Sequence, residues 1–470
     1  MATVLRALRT ALAGTLFWLI ACAPEGPPNL VLVTLDTFRA DRVGALGHPG
    51  ALTPHLDELA SESALFTHAV TPIGTTHPAH ASLFTGLYPA QHRVRFNGHW
   101  LDPAFVTLAE LLRDAGYSTA AFVAMPTMIT YGGLGQGFET TSDRGRQFVP
   151  TTRPGAQVNR MAIDWLRQGG EGPIFLWVHY YETHSPYRRT AHFRAQLARL
   201  AKSAGTPYRG PLRHGASAEF FVSYGSEALP ATEENRRLLG ALYDGEVIET
   251  DRLVGSLLEA LEEEGRLDHA VLAVVADHGQ LLGEHGRTGH GYHLFEPVLR
   301  VPLLIWESQR REGRVIDPRV SLIDLLPTLT ELTGVEPPAD LPGRSLAPAM
   351  RGEPLPEAEY FAGVRVPRVK NERRRPEVRR QTAEQLREKR AVAVYSGTKK
   401  LVLDRDGVRL FDLQEDPGEE HPVTGEEARE LVERLRELAV AHEAEDPDEA
   451  EPIELPEDVR LQLEKLGYLR

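Results

Sequence analysis

Cysteine is almost absent from this chain of 470 residues, which contains Cys22 and no other. A single cysteine excludes an intramolecular disulfide, so the fold must be stabilised without one. The apolar run at the start, residues 11–20, is too short to span a bilayer. Arg6 and Arg9 precede it, and a basic start followed by a short apolar run is typical of a secretory signal peptide.

The cysteine has a context that accounts for it. Leu19-Ile20-Ala21-Cys22 resembles a bacterial lipobox, in which the signal peptide is cut before the cysteine and the cysteine is acylated. This pattern predicts a signal peptide over residues 1–21 and a lipid-anchored spacer over residues 22–28. It predicts a lipoprotein tethered to a membrane of the bacterial cell envelope, facing the periplasm or the cell surface. The alternative is an ordinary signal peptide with an incidental cysteine.

Basic residues are fewer than acidic ones, and the formal net charge is −14. This charge argues against nucleic acid as a general partner, because binding phosphates requires a concentrated basic face. Residues 365–390 oppose the trend with eleven Lys/Arg against four Asp/Glu. They form either a solvated insertion or a patch for anionic lipid or a polyanionic substrate. Residues 443–458 carry nine acids and no base, which predicts an extended linker before a terminal helix.

The middle of the chain alternates between apolar runs and helical patterns. Residues 29–35 and 271–276 are continuous apolar runs, which indicate strands buried on both faces of a parallel sheet. Ligands of such sheets collect at the carboxyl ends of the strands. Two further strands are predicted at residues 120–124 and 174–180, and a long helix at about residues 232–264. The predicted domains are a catalytic domain (29–350), a small-sheet subdomain (351–442) that includes the basic segment, and a terminal linker and helix (443–470).

Each of the two apolar runs ends in a carboxylate, the first in Asp36 and the second in Asp277-His278. Together with the hydroxyl of Thr76, these side chains form a ligand set that suits Ca²⁺, Mn²⁺, Mg²⁺ or Zn²⁺. We expect one such ion, and a second is possible. Pro78 fits the first turn of a helix, so Thr76 should lie at or near the N-cap, where an anion is favoured. The alternative is that Thr76 is a capping residue alone.

The segment Thr75-Thr76-His77-Pro78-Ala79-His80-Ala81-Ser82-Leu83-Phe84-Thr85-Gly86 resembles the nucleophile signature of sulfatases. Further segments in the expected order extend the resemblance over nearly the whole mature chain; they include Leu52-Thr53-Pro54, His184-Ser185-Pro186-Tyr187, Gly343-Arg344-Ser345 and Leu410-Phe411-Asp412-Leu413. The chain is thus similar to the sulfatase branch of the alkaline phosphatase superfamily. That resemblance implies an α/β, three-layer sandwich with a mostly parallel central sheet and a small C-terminal α+β domain.

The resemblance also implies roles for individual residues. Asp36, Asp277 and His278 would bind the metal, and Thr76 would be both nucleophile and ligand. Asn97 and His184 would face the substrate oxygens, and His290 stands where the family has a lysine that neutralises the substrate anion. His285 is a further candidate for proton transfer to the leaving oxygen. For the histidines the alternative role is a local hydrogen-bond anchor, and for Glu182 a purely structural one.

Departures from the signature decide the chemistry. Thr76 stands where sulfatases have the Cys or Ser that becomes formylglycine, and threonine does not undergo that conversion. Thr37 replaces a carboxylate of the usual metal shell, His80 the motif arginine and His290 the lysine. Histidines titrate at about pH 6–7. We therefore expect activity to fall as pH rises through the titrations of His80 and His290.

Three functions are compatible with this pattern. The first is a metal-dependent hydrolase or transferase that cleaves phosphate or phosphonate esters of a small molecule, glycan or lipid through Thr76. The second is a true sulfatase. The third belongs to another class, an inactive lipoprotein that binds sulfated or phosphorylated glycans, and it predicts that a metal ligand has been lost.

Overall fold

The computed structural model describes residues 26–143, 152–204, 232–365 and 390–444, apart from residues 171, 189, 405 and 406, together with residues 457, 460 and 461. The predicted signal peptide and Cys22 lie outside the described residues, as do residues 366–389 of the basic segment and most of the acidic stretch. Within the part that the structure describes, no helix is long and apolar enough to cross a membrane.

A nine-stranded, mostly parallel sheet forms the larger part of the structure. The strands are β1 (Asn29–Leu35), β2 (Ala64–Val70), β3 (Ser118–Val123), β4 (Thr140–Thr141), β5 (Ile174–Tyr180), β6 (Ala270–Ala276), β9 (Arg300–Glu307), β10 (Arg314–Ile316) and β11 (Val320–Ser321). Their order in the sheet is β10-β2-β9-β6-β1-β5-β3-β4, with β11 paired to β2. Strand β9 is antiparallel to both of its neighbours, β2 and β6. A two-stranded ribbon, β7 (Leu281–Leu282) and β8 (Thr288–Gly289), stands apart from this sheet.

The apolar runs form the central strands because helices cover the sheet on both faces. Strands β1 and β5 have the predicted bounds, whereas β6 begins one residue before the predicted run and β3 is displaced from it by up to two residues. All residues of β5 and β6 are buried, and in β1 only Asn29 is partly exposed. The predicted α/β class and its mostly parallel sheet are confirmed.

Two layers of helices enclose the sheet. One layer packs around the long helix α8 (Glu233–Glu263), whose predicted N-terminus at Thr232 is confirmed as an N-cap that accepts from the N–H of Asn235. It contains α1 (Pro54–Ser61), α6 (Gly155–Gln168) and α7 (Ala191–Ala204). The other layer contains α2 (Thr76–Thr85), α3 (Pro89–His92), α4 (Leu108–Asp114), α10 (Leu325–Thr333) and α11 (Ala347–Met350). The short helices α5 (Thr127–Thr130) and α9 (Glu296–Leu299) lie in connections.

A second sheet follows, with four antiparallel strands in sequential order. They are β12 (Glu359–Arg365), β13 (Arg390–Ser396), β14 (Lys399–Asp404) and β15 (Gly407–Asp412), and helix α12 (Glu426–Ala444) packs on the last three. The small C-terminal sheet domain is thereby confirmed, while its boundaries at residues 351 and 442 stay a prediction.

Candidate active site

Strand register brings the two predicted carboxylates together. Strands β1 and β6 are parallel neighbours, and Leu35 is paired with Ala276, so Asp36 and Asp277 leave the sheet side by side. Both carboxylates are fully buried, as is His278. One ligand atom from each of these three residues can be chosen so that all lie within 4.8 Å of one another. The structure therefore assembles the predicted metal-ligand group.

Several hydrogen bonds stabilise the turn that carries Asp36. Thr37 has a φ of 54°, a left-handed conformation that costs a β-branched residue energy and marks a strained position. Its N–H donates to Asp277 Oδ1 at 3.0 Å, and its carbonyl accepts from the hydroxyl of Tyr243 at 2.8 Å. The hydroxyl of Thr183 donates to the carbonyl of Asp36 at 2.5 Å. These hydrogen bonds stabilise the strained turn and fix the backbone position of Asp36.

The electrostatics of the group favour a cation. Burial and the negative charge of Asp36 raise the pKa of Asp277 well above its usual range. Asp277 Oδ2 has no hydrogen-bond partner among the described residues, although a buried carboxylate oxygen normally has one. Two adjacent buried carboxylates, an imidazole and a hydroxyl are the donor set of a divalent cation. The residues present thus fit the metal that the sequence predicts.

His278 is oriented as a metal-binding histidine should be. Its Nδ1 lies 2.8 Å from the carbonyl of Gly279, which can only accept, so Nδ1 carries the proton and the lone pair is on Nε2. Burial lowers the pKa of His278 to about 3, which keeps the ring neutral. Nε2 lies 3.2 Å from the hydroxyl oxygen of Thr76.

Thr76 lies at the start of α2, one residue inside the helix. The N-cap is Thr75 and Thr76 is the first residue of the helix. Thr76 therefore lies next to the N-cap, as the sequence predicts. Its Oγ1 is 3.4 Å from Asp36 Oδ2, which places the hydroxyl against two members of the metal-ligand group. The next N–H, that of His77, donates to Asn97 Oδ1 at 3.0 Å. Asn97 therefore anchors the beginning of α2 beside the nucleophile candidate.

His80 has a different role from the one predicted for it. Its Nδ1 lies 2.8 Å from the carbonyl of Thr76, and its Nε2 3.1 Å from the hydroxyl of Thr34. That hydroxyl accepts from the indole N–H of Trp177 at 2.9 Å, so a continuous hydrogen-bond chain ends at the backbone of Thr76. Burial, reinforced by His179, lowers the pKa of His80 to about 3. The expectation that His80 replaces the motif arginine as a cation titrating near neutrality is wrong; the ring is a neutral support of α2.

The neutral state of His80 has a testable consequence for the dependence of activity on pH. Replacing His80 with glutamine, which keeps one donor and one acceptor, should leave the shape of the activity profile between about pH 5 and 8 unchanged. The reason is that a group with a pKa of about 3 releases no proton in that range. Steady-state rates of the wild type and of His80→Gln across the range check it, and a limb that is lost in the variant would contradict it.

Two more predicted residues come together next to this group. His184 Nε2 and His290 Nε2 lie 3.1 Å apart, and the ring centroid of His290 is 4.5 Å from that of His278. His290 Nδ1 faces the carbonyl of Gly74 at 3.2 Å, and His184 Nδ1 contacts the hydroxyl of Tyr181 at 2.7 Å. Burial and the neighbouring His290 lower the pKa of His184 well below its usual range. The predicted substrate-facing histidines therefore adjoin the metal-ligand group.

His285 and Glu182 have other surroundings. The His285 ring stacks face to face on Phe295 with centroids 3.8 Å apart, in a turn where His285 has a φ of 52°. Phe295 does not belong to the group around Thr76, so the predicted proton transfer by His285 gains no support. Glu182 accepts from the N–H of Gly155 at 2.6 Å, at the start of α6. That contact is the structural role that the sequence left open.

Sequence reasoning missed His179 and Thr34, which the structure places against the site. His179 is paired with Thr34 across β5 and β1, and His179 Nε2 lies 3.5 Å from Asp36 Oδ2. Both residues lie within runs that are otherwise apolar, and a polar side chain inside such a run was the available signal.

A mostly parallel α/β sheet with carboxylates, an imidazole and a hydroxyl at the carboxyl ends of its strands defines an alkaline-phosphatase-like ester hydrolase. The chain belongs to the sulfatase family: the Sulfatase family model matches residues 28–335, and the model "N-sulphoglucosamine sulphohydrolase, C-terminal" matches residues 283–444. Both predictions, of an enzyme and of this branch of the alkaline phosphatase superfamily, are confirmed.

Relatives and solved structures agree with this assignment. The chain is 28% identical over 407 residues to the multifunctional alkaline phosphatase superfamily protein PehA of Trinickia caryophylli, covering 69% of this chain and 78% of that protein. It is 26% identical over 463 residues to arylsulfatase K of Xenopus laevis, covering 89% and 84%. A phosphonate monoester hydrolase of Agrobacterium radiobacter shares the fold with a TM-score of 0.68 at 24% identity, covering 92% of this chain and 98% of that structure.

Proposed function

We propose that this protein is a metal-dependent hydrolase or transferase that cleaves phosphate or phosphonate esters with Thr76 as its nucleophile. The observation that supports it most is the position of the Thr76 hydroxyl, 3.2 Å from His278 Nε2 and 3.4 Å from Asp36 Oδ2. A hydroxyl that merely capped a helix would face its backbone, yet Thr76 lies inside α2, after the N-cap Thr75, and its hydroxyl faces His278 and Asp36.

The proposed reaction needs two displacements at phosphorus. The Thr76 oxygen forms a bond to phosphorus while the bond to the leaving oxygen breaks, and that oxygen keeps the bonding electron pair and takes a proton from solvent. The proton of the Thr76 hydroxyl is released to solvent. Water, or an acceptor alcohol, then attacks the phosphothreonine and restores the hydroxyl. A divalent cation on Asp36, Asp277 and His278 would lower the pKa of the hydroxyl and neutralise charge on the substrate.

The remaining residues position the two partners. His80 and Asn97 hold the first turn of α2, His80 through the Thr76 carbonyl and Asn97 through the His77 N–H. His290 lies next to His278, where its protonated form would neutralise the substrate anion, and His184 adjoins His290. The N-terminal end of α2 adds a favourable field for the oxyanion.

Phosphorus is preferred over sulfur because of the residue at position 76. A formylglycine enzyme releases sulfate from a hemiacetal ester, whereas a sulfothreonine would require direct hydrolysis at sulfur. The similarity to PehA, a protein of the alkaline phosphatase superfamily by its description, is compatible with phosphorus chemistry. The substrate would be an anionic ester of a small molecule, a glycan or a lipid.

A sulfatase that uses Thr76 directly is the second candidate. The family model and relatives such as arylsulfatase K of Xenopus laevis and the ulvan-active sulfatase of Formosa agariphila favour it. Assays with p-nitrophenyl sulfate, p-nitrophenyl phosphate, bis-p-nitrophenyl phosphate and a phosphonate monoester, each with and without Mn²⁺, Zn²⁺ or Ca²⁺, separate the two. Turnover of the sulfate ester alone would refute the preference for phosphorus.

Loss of the metal should abolish this activity. Asp277→Asn removes one of two ligand charges, and we expect metal content measured by elemental analysis to fall with a loss of turnover of at least about 100-fold. Asp143→Asn is a matched control, because that buried carboxylate pairs with Arg153 and not with the metal-ligand group. If Asp277→Asn kept both metal and rate, the proposed ligand set would be incorrect.

The third function, an inactive binding lipoprotein, predicts the loss of a metal ligand, yet Asp36, Asp277 and His278 are all present.

We further propose that Cys22 is acylated and tethers the enzyme to a membrane of the cell envelope, as the lipobox-like sequence indicates. In cells fed a labelled fatty acid, the wild type should carry label and Cys22→Ser should not. Labelling that persists in Cys22→Ser would contradict the anchor.

A further inference from the structure

His179 is buried without the hydrogen bonds that a buried imidazole normally makes. It lies on β5 among Phe175, Trp177 and Val178, and it is 0% exposed. Neither of its ring nitrogens has a hydrogen-bond partner among the described residues. Leaving a buried polar group without a partner disfavours folding, and an apolar side chain of the same shape would avoid that cost. The imidazole therefore works against stability at this position.

The location of the ring offers a reason for keeping it. His179 Nε2 lies 3.5 Å from Asp36 Oδ2, the carboxylate oxygen that is also 3.4 Å from the Thr76 hydroxyl. Parallel pairing with β1 at Thr34 fixes the backbone of His179 two residues before the level of Asp36. The ring is confined on its other sides by His80, with centroids 5.2 Å apart, and by Trp177, at 6.4 Å. It can approach Asp36 and has little room to turn away.

We propose that His179 is a positioning residue: its Nε2 lies 3.5 Å from Asp36 Oδ2, and an N–H there favours the orientation of that carboxylate that binds the metal. The inference rests on the metal site of the proposed function. Carboxylates that bind metals are commonly held by a second hydrogen bond from outside the ligand set, and losing such a partner weakens metal affinity. Here the neighbouring position carries Thr37 in place of the family's second carboxylate, so the orientation of Asp36 matters more.

The experiment is a titration of the full-length protein with Mn²⁺ alone, followed by electron paramagnetic resonance, together with the thermal midpoint of the metal-free protein. In His179→Phe we expect the Kd for Mn²⁺ to rise by about 10- to 100-fold. The midpoint of the metal-free protein should stay the same or rise, because an apolar ring replaces an unpartnered imidazole. His179→Gln, whose amide can donate to Asp36, should recover most of the affinity.

His92 supplies the control. It is also buried, but its ring bonds Ser82 at 2.9 Å and the N–H of Val94 at 3.1 Å. His92→Phe should lower the midpoint and leave the Kd unchanged. An unchanged Kd in His179→Phe would overturn the inference, as would an equal loss of affinity in His179→Phe and His179→Gln. If the wild type bound no Mn²⁺, Zn²⁺ or Ca²⁺, the metal-dependent function itself would fail instead.

Discussion

Thr76→Ala should lower kcat by at least about 1,000-fold, the scale seen when a covalent nucleophile is removed. The substitution leaves Asp36, Asp277 and His278 in place and removes the hydroxyl that lies between His278 Nε2 and Asp36 Oδ2. Folding should be little affected, because Thr76 is not the N-cap of α2 and alanine is a good residue in a first helical turn. Steady-state kinetics with the preferred ester, together with metal content and thermal midpoint, measure both effects.

Two variants make this result specific. Thr76→Ser keeps a hydroxyl and should retain measurable turnover, whereas loss of a mere packing methyl would affect serine and alanine alike. Thr85→Ala lies on the same helix and removes a buried hydroxyl that donates to the Ala81 carbonyl at 2.7 Å. We expect it to change stability and not kcat. A Thr76→Ala variant within about tenfold of the wild type would exclude nucleophilic catalysis by this residue.

The second large effect concerns Lys400, which is fully buried on β14. Its Nζ lies 3.0 Å from Glu296 Oε1 and 2.7 Å from Glu419 Oε1, and it donates to the carbonyl of Leu294. Burial alone would raise the pKa of Glu296, but Lys400, with Arg319, lowers it to about 2. Lys400→Met would leave two carboxylates buried without their main cation. We expect it to reduce the free energy of unfolding by about 3–5 kcal/mol.

The neighbouring lysine is the matched control for denaturant unfolding. Lys399 pairs with Asp412, and its side chain is 34% exposed. Lys399→Met should therefore cost less than about 1 kcal/mol, as exposed ion pairs usually do. Equal losses of unfolding free energy from the two substitutions would contradict a stabilising role for the contact between Lys400 and Glu296. The contact matters because Glu296 begins α9, directly before β9 of the main sheet.

Much of the site followed from the sequence because its residues mark the ends of strands. Asp36 and Asp277-His278 each come after a continuous apolar run, and parallel strands in one sheet bring their carboxyl ends to the same edge. Thr76 was recognisable because the residues around it keep the signature that surrounds a nucleophile. In each case the regular geometry of the sheet or the helix determines where a residue lies in space from its place in the local sequence pattern.

Other residues could not be predicted because their surroundings come from distant parts of the chain. The charge state of His80 depends on its burial and on His179, which lies on β5, and its Nε2 faces the hydroxyl of Thr34 on β1. The ring of His285 was expected near the substrate, but its packing depends on Phe295, ten residues later. The buried partners of Lys400 come from separate segments, Glu296 before β9 and Glu419 after β15. Sequence pattern identifies the side chains, and long-range contacts set their pKa values and roles.

Trapping the covalent intermediate would show directly whether Thr76 is the nucleophile. The enzyme would be quenched in acid during turnover of p-nitrophenyl phenylphosphonate, digested and analysed by mass spectrometry. This substrate leaves a phenylphosphonyl group, whose mass cannot be confused with that of a sulfuryl group. We expect this adduct on Thr76, and no adduct in Thr76→Ala. An adduct on another residue, or continued phosphonate turnover by Thr76→Ala, would contradict it.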